Sequence, residues 1–496
     1  MSALRKLAGQ TAIYGVSSII GRLVTFLLTP FYTRVFTQAQ YGVVTELYAL
    51  VAFLIVFLTY GMETAFFRFG SKAKTEEERN RIFSTAFIAI LTTSALFITV
   101  ITLNLSGISS FLGYTDHPEY IAYFTWIVAL DAMVTIPLAR LRLRNKPIVF
   151  AGVNLFSIAV NIALNLFLIL YCPVAIADPN ALAHDFIISF YNPEFGIGYI
   201  FVANLISSGV KFLLLTPWMG GIIYGFHMKI IRQILPYALP LLLLGLAGIV
   251  NETFDRLFFT KLSGLPDDLA AEQLGIYGAC YKVAMLLSIG IQAYRFAAEP
   301  FIFSLAEHKD RNKTQSDIMK YYFIVASFIT LTLLCFLDVA VLLIGESFRS
   351  GMDVIPILLL AYLCFGAIFN LSFWYKLNDK TVYGMLIAIV GAIVTIAMNY
   401  WLVPFIGFYG SAWATLGAYV SMLALSYYLG NKKYPVNYNL KEIGFYVFFA
   451  AGLYLVHYFF NFDGFMKYIS ASAAVIIYAV TVYKKEINRI KNSLNG

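Results

Sequence analysis

The chain has 496 residues, of which 60% are hydrophobic, 17% aromatic and only 12% charged, whereas about a quarter of an ordinary soluble domain is charged. That composition excludes a soluble fold. The net charge of +8 is no nucleic-acid footprint either, because the basic residues come in short groups spread along the chain and never gather into one patch.

Fourteen apolar runs are predicted as spans, each close to the ~20 residues a helix needs to cross the hydrocarbon core. In chain order they cover 11–35, 42–66, 82–103, 120–139, 149–170, 197–221, 235–259, 274–300, 320–343, 353–375, 381–402, 406–430, 443–461 and 466–483. The gaps alternate in charge. Arg5 and Lys6 precede the first run, and Lys72, Lys74, Arg79 and Arg81 follow the second. Arg140, Arg142, Arg144 and Lys146 follow the fourth, Lys229 and Arg232 the sixth, and Lys309, Arg311 and Lys313 the eighth. Lys376 and Lys380, then Lys432, Lys433 and Lys441, then Lys484, Lys485, Arg489 and Lys491 complete the series. The intervening gaps hold only Lys261, Arg349 and Lys467, beside acids such as Asp116, Asp178, Asp185, Glu194, Asp267 and Asp268. Basic loops stay in the cytoplasm, so both termini are expected there.

The four cysteines have no metal-ligand spacing, and Cys280, Cys335 and Cys364 lie in apolar runs, where a thiol serves as a small hydrophobe. The first ten residues are mildly basic and lack a small-residue cleavage site, so they read as retained sequence and not as a signal peptide. No loop exceeds roughly 25 residues, too few for a soluble catalytic domain.

Two echoes point to an internal repeat. Tyr41-Gly42 opens the second run and Tyr277-Gly278 the eighth; Ile162-Ala163-Leu164-Asn165 in the fifth answers Ile396-Ala397-Met398-Asn399 in the eleventh. The offsets, 277 − 41 = 236 and 399 − 165 = 234, suggest a six-helix unit used twice. The expected lobes are residues 1–225 and 226–432, with 433–496 supplying two more spans and a basic cytoplasmic tail.

Several stretches resemble the bacterial polysaccharide-biosynthesis flippases. Leu28-Thr29-Pro30-Phe31-Tyr32-Thr33-Arg34-Val35, followed by Tyr41-Gly42, looks like the opening of that family. Leu235-Pro236-Tyr237-Ala238-Leu239-Pro240, Asp255-Arg256-Leu257-Phe258-Phe259 and Gly275-Ile276-Tyr277-Gly278-Ala279-Cys280-Tyr281-Lys282 continue it in order. Arg295-Phe296-Ala297-Ala298-Glu299-Pro300-Phe301 and Tyr409-Gly410-Ser411-Ala412-Trp413-Ala414-Thr415 complete the series. The resemblance implies the fold of the multidrug, oligosaccharidyl-lipid and polysaccharide exporter superfamily. That is an all-α polytopic membrane protein of two six-helix bundles with pseudo-twofold symmetry plus two C-terminal helices, in the bacterial inner membrane. It also implies the activity: flipping a polyprenyl phosphate- or pyrophosphate-linked oligosaccharide to the outer leaflet by alternating access, for surface polysaccharide or lipopolysaccharide biosynthesis.

A charge inside a span costs at least about 2.5 kcal/mol, so each one should face protein or water. Arginine forks and lysine ammoniums suit a carrier phosphate. Arg22, near the middle of the first span, is the foremost substrate-binding candidate, followed by Arg34, Arg256, Lys282 and Arg295. Three of them have a pairing alternative: Arg22 could pair with Asp131 or Glu46, Arg256 with Glu252 at i, i+4, and Arg295 with Glu299 at the same spacing, while Arg34 could snorkel toward an interface. Glu46, Asp131, Glu252, Asp255 and Glu299 are candidates to carry a coupling proton or sodium ion. The prolines Pro137, Pro236, Pro240 and Pro300 fall within spans, where a missing donor favours a kink.

The runner-up is an ion-coupled multidrug or toxin extruder of the same superfamily, for which intramembrane arginines suit a cationic drug poorly. A membrane glycan polymerase or ligase comes third. Its acceptor site would need a large external loop, and the longest here, 171–195, offers only His184 as a base. No nucleotide-binding loop or nucleophile constellation occurs, so a non-enzyme without a cofactor is expected. Its partners would be the lipid-linked substrate, membrane lipids and glycan polymerase or ligase machinery, with no nucleic acid and a monomeric state.

Overall fold

The computed structural model describes residues 15, 19–21, 23–24, 26–304, 311–378, 380–460 and 462–494. These residues are helical, with no strand among them. The first long helices are α1 (Leu28–Val35), α2 (Gln38–Thr59), α3 (Met62–Lys72) and α4 (Glu76–Leu103). After the short α5 (Leu105–Leu112) come α6 (Pro118–Leu143) and α7 (Pro147–Asn165), then the small α8 (Cys172–Ala177) and α9 (His184–Phe190). Next are α10 (Gly198–Leu215), α11 (Met228–Leu257), α12 (Phe259–Leu262) and α13 (Asp267–Ser304). The remainder is α14 (Arg311–Cys335), α15 (Leu337–Ala340), α16 (Val354–Leu371), α17 (Phe373–Lys376), α18 (Thr381–Ile406), α19 (Phe408–Lys433), α20 (Leu440–Phe460) and α21 (Phe465–Leu494).

Local chemistry sets the boundaries. Thr37 and Gln40 form a reciprocal capping box at the start of α2. Tyr60 and Gly61, both at positive φ, break α2 from α3. Thr75 caps α4, whose first turn carries Glu76, Glu77 and Glu78 against the positive end of the helix dipole. Pro118 and Pro147 open α6 and α7 where their missing N–H costs nothing. Leu166–Tyr171 widens into a π turn just before Pro173, which cannot donate back into the helix.

Among the described residues, twelve helices are long and apolar enough to span a membrane. The expected total of fourteen differs at two places. The first run lies mostly outside the described residues. The twelfth, α19, is a full 26-residue helix, but its Gly, Ser, Thr and Tyr content makes it less apolar. Small residues are what its neighbours require: Gly410 is so close to the backbone of Leu402 and Val403 that an added Cβ would lie 2.7 Å from it. Close approach through small side chains is how helices associate in lipid, where burial of apolar surface gives little drive.

The chain divides by contact into two compact units. Unit 1 comprises Met1–Leu28, Val35–Thr260 and Asp267–Gly275; unit 2 comprises Thr29–Arg34, Lys261–Pro266 and Ile276–Gly496. The core of unit 1 is centred on α6, where Ile127, Val128, Ala129, Ala132, Ile136, Ala139 and Leu141 are fully buried. Aromatic pairs around it include Tyr48 with Phe124 and Phe124 with Phe201. Unit 1 also includes α11, which packs on α2, and the segment before it is tied down. Ser84 donates to the Ile222 carbonyl (3.0 Å), Thr85 Oγ1 accepts from the His227 amide (3.2 Å), and Arg140 donates to the Trp218 carbonyl (2.7 Å).

In unit 2, α16 is the buried centre and packs on α19. The extra helices α20 and α21 pack on α14 through Leu331, Cys335, Ala450, Ala471, Ala474 and Tyr478. Two ion pairs of opposite sense fix the register of the antiparallel α14 and α21 region. Lys320 pairs with Glu486 (2.7 Å) at one end, and Lys467 with Asp338 at the other. An apolar cavity of about 290 Å³ lies among Met319, Phe323, Leu371, Leu423, Tyr427 and Tyr438.

Candidate functional site

The sequence candidates fall into separate groups, and each is built within one unit. In unit 1, Glu46 on α2 accepts from the Tyr114 hydroxyl (3.0 Å) and from Thr260 Oγ1 (3.1 Å). Burial, with the Glu46 charge beside it, pushes the Tyr114 phenol well above its ordinary value, which keeps it a donor. Asp131, half-buried on α6, accepts from Ser208 Oγ of α10 (3.1 Å). One turn away on α10, Asn204 donates to the Tyr48 hydroxyl of α2 (3.0 Å), and the Asp131 charge reaches Tyr48. Tyr48, Asp131, Asn204 and Ser208 thus form a polar group inside an otherwise apolar three-helix contact.

On α11, Asp255 is 3% exposed, and its Oδ1 accepts from the Arg256 amide (3.0 Å) and lies 3.5 Å from Arg256 Nε. The expected Glu252–Arg256 partnership takes a different form. The i, i+4 bond runs from the guanidinium to the backbone carbonyl of Glu252, whose own residue is exposed, and the nearby carboxylate is that of Asp255. Arg22 lies outside the described residues.

Sequence reasoning treated Arg140, Arg142 and Arg144 as orientation markers, yet they are built into unit 1. Arg140 is buried, stacks on Phe83 (4.2 Å), and donates to Asn80 Oδ1 and to the Trp218 carbonyl, both at 2.7 Å. Arg142 pairs with Glu63, and Arg144 with Glu76 (3.2 Å), which also holds Arg79 (2.8 Å). The readable signal was the i, i+2, i+4 arginines at one helix end, opposite the acidic run 76–78.

In unit 2, the Arg34 fork is spent on backbone: Nη1 donates to the Pro30 carbonyl (2.5 Å) and Nη2 to that of Leu342 (2.6 Å). Lys282 is half-buried on α13. Arg295 stacks on Phe369 (4.6 Å), and Lys376 Nζ approaches the same ring (5.1 Å) and Phe373 (5.7 Å). Two cations therefore converge on one aromatic cluster, beside the Tyr294–Asn370 hydrogen bond. The side chain of Glu299 lies outside the described residues. Lys320 and Glu486, absent from the sequence candidates, form a buried pair in which Glu486 also accepts from Tyr321 (3.1 Å) and Tyr446 (2.7 Å).

The shared sequence motifs have physical reasons here. An added Cβ on Gly42 would lie 1.9 Å from the Ala271 carbonyl oxygen, and one on Gly275 1.9 Å from that of Gln38. Both glycines serve a single backbone crossing of α2 with the start of α13. A family model described as "Polysaccharide biosynthesis protein" matches residues 7–306, more than half of the chain.

The chain belongs to the polysaccharide biosynthesis protein family. This family member is similar in fold to a solved structure titled "Lipid II flippase MurJ, inward closed conformation", at TM-score 0.73 and 13% identity, over 96% of this chain and 99% of that one. It is also similar to an inward-facing multidrug resistance MATE family transporter of the MOP superfamily, at TM-score 0.61 and 13% identity, over 87% and 95%. A Vibrio cholerae MATE transporter matches at TM-score 0.59 and 12% identity, over 87% and 97%. No curated protein sequence matches significantly. At these identities the likeness shows the fold, a multi-pass all-α membrane protein, and leaves the cargo open.

Proposed function

We propose that this polysaccharide biosynthesis protein is a flippase. It moves a polyprenyl phosphate- or pyrophosphate-linked oligosaccharide from the cytoplasmic to the outer leaflet by alternating access. The observation that carries this reading is the family match over 7–306, which contains every substrate-binding and ion-coupling candidate read from the sequence. Arg22, Arg256, Lys282 and Arg295 are the proposed phosphate contacts, with Lys376 joining Arg295 at Phe369. Arg34 is the weakest of the set, because its donors already serve Pro30 and Leu342. Asp131 is the preferred coupling group for H+ or Na+, since Ser208, Tyr48 and Asn204 place further oxygens and donors around it. Glu46, Glu252, Asp255 and Glu299 remain in the candidate set. The repeat division into residues 1–225, 226–432 and 433–496 belongs to the same proposal, as do the bacterial inner-membrane location with both termini cytoplasmic, the non-enzymatic mechanism and a monomeric state.

Deleting the gene should leave lipid-linked oligosaccharide on the cytoplasmic leaflet and deplete the surface glycan. The MATE-type fold keeps multidrug extrusion as the competing reading, and the same strain separates the two. Unchanged surface glycan together with raised accumulation of cationic drugs would select extrusion.

A further inference from the structure

The segment joining the fifth and sixth spans is an elbow with one packed side and one apolar, uncovered side. Cys172, Ala175 and Ile187 are fully buried. Two further ties hold the elbow to the span: the Tyr171 hydroxyl donates to the Leu182 carbonyl, and His184 Nδ1 meets that of Ala175, both at 2.7 Å. The elbow is therefore a fixed part of unit 1, at the opposite end of α7 from the Arg140–Arg144 cluster. On its outer side Leu182, in the turn that Ala183 ends at positive φ, is 83% exposed, and Phe186 (66%) and Phe190 (44%) follow on α9, at i, i+4, i+8 in the sequence, with the last two rings 5.2 Å apart. Asp185, Ile188 and Ser189 are exposed on the same helix.

The exposed apolar stripe continues a second one. Leu166, Leu170 and Val174, again at i, i+4, i+8, are exposed along the end of the fifth span, whose outward face is the one that meets lipid. We infer that residues 178–190 form a brace that lies in the membrane interface, with Leu182, Phe186 and Phe190 inserted among acyl chains. The occupant is the bilayer itself. Asp178, Asp185 and Glu194 remain in water, and their charge favours a zwitterionic over an anionic surface.

Spin labels on the full-length protein in phosphatidylcholine nanodiscs test this. The four native cysteines are replaced by alanine, and single labels are placed by Phe186→Cys, Leu182→Cys or Asp178→Cys. The inference requires labels at 186 and 182 to collide several-fold more often with oxygen than with a water-soluble nickel chelate, and the label at 178 to show the reverse. Nickel-dominated collisions at both 186 and 182 would place the elbow in water and overturn it. Shielding of both positions from both reagents would mean that protein, not lipid, covers the stripe, and would overturn it equally.

Discussion

Asp131 and Lys320 show how differently two intramembrane charges can be used. Among the described residues Asp131 accepts from the Ser208 hydroxyl and from no arginine or lysine, so Asp131→Asn keeps the contact to Ser208 while removing the charge. If Asp131 carries the coupling ion, gradient-driven transport should be lost with thermal stability nearly unchanged. Normal transport by Asp131→Asn would remove it from coupling. Lys320 is the opposite case, because its ammonium is 3% exposed and bound to Glu486. Lys320→Met strands a buried carboxylate and should cost about 3–5 kcal/mol of stability, much of which Lys320→Met/Glu486→Met should recover. Thermal unfolding in detergent reads both, and a single variant as stable as the parent would contradict the assignment. At this scale the sequence revealed which charges lie in spans but not their partners. Glu486 was read as part of a basic tail because α21 runs eleven residues past the expected end of its span at 483, to Leu494. The helix end of Arg140 looked like loop chemistry because its partners Asn80 and Trp218 are distant in sequence.

Helix spacing within each unit is set by glycines that admit a neighbouring backbone. Gly42→Ala should therefore lower stability by about 1–3 kcal/mol through overpacking against Ala271. Gly152→Ala, with nothing within 4 Å of its added Cβ, should be neutral or gain up to about 1 kcal/mol from helix propensity. Equal effects at the two positions would refute the crossing argument. Long apolar runs made the spans legible, and each from 42–66 onward overlaps a helix, although the 42–66 run is broken at Tyr60–Gly61 and the helix in 320–343 stops at Cys335. The exceptions are physical: α19 gives up hydropathy for small-residue packing, and the π turn at 166–171 sits next to Pro173 in a run whose apolar content reads like any other. Orientation rests on loop charge alone. Single cysteines at the exposed positions Ser110 and Asn180 should react in intact cells with a membrane-impermeant thiol reagent, whereas one at Lys74 should stay protected. Labelling of Lys74→Cys in sealed cells would invert the topology.

For the whole molecule, family membership and a fold similar to the solved MurJ and MATE structures set the frame, and the charge chemistry motivates the proposed cargo. The resemblance was legible because its motifs fall at positions where geometry leaves little choice. Gly42 and Gly275 serve the helix crossing, while Thr33 Oγ1 accepts from the Gly345 amide (2.9 Å) and donates to the Thr29 carbonyl (2.9 Å). The cargo was not legible to the same degree, since a phosphate contact and a structural ion pair use the same arginine in the same apolar run. The most direct measurement is made on the purified protein in liposomes holding a fluorescent polyprenyl pyrophosphate-linked oligosaccharide in both leaflets. Dithionite added outside bleaches the outer leaflet at once, and the account predicts that the inner-leaflet pool then becomes accessible only in vesicles containing the protein. Bleaching that stops at the outer-leaflet fraction in protein-containing vesicles, as it does in protein-free ones, under an imposed proton or sodium gradient of either sign, would contradict it.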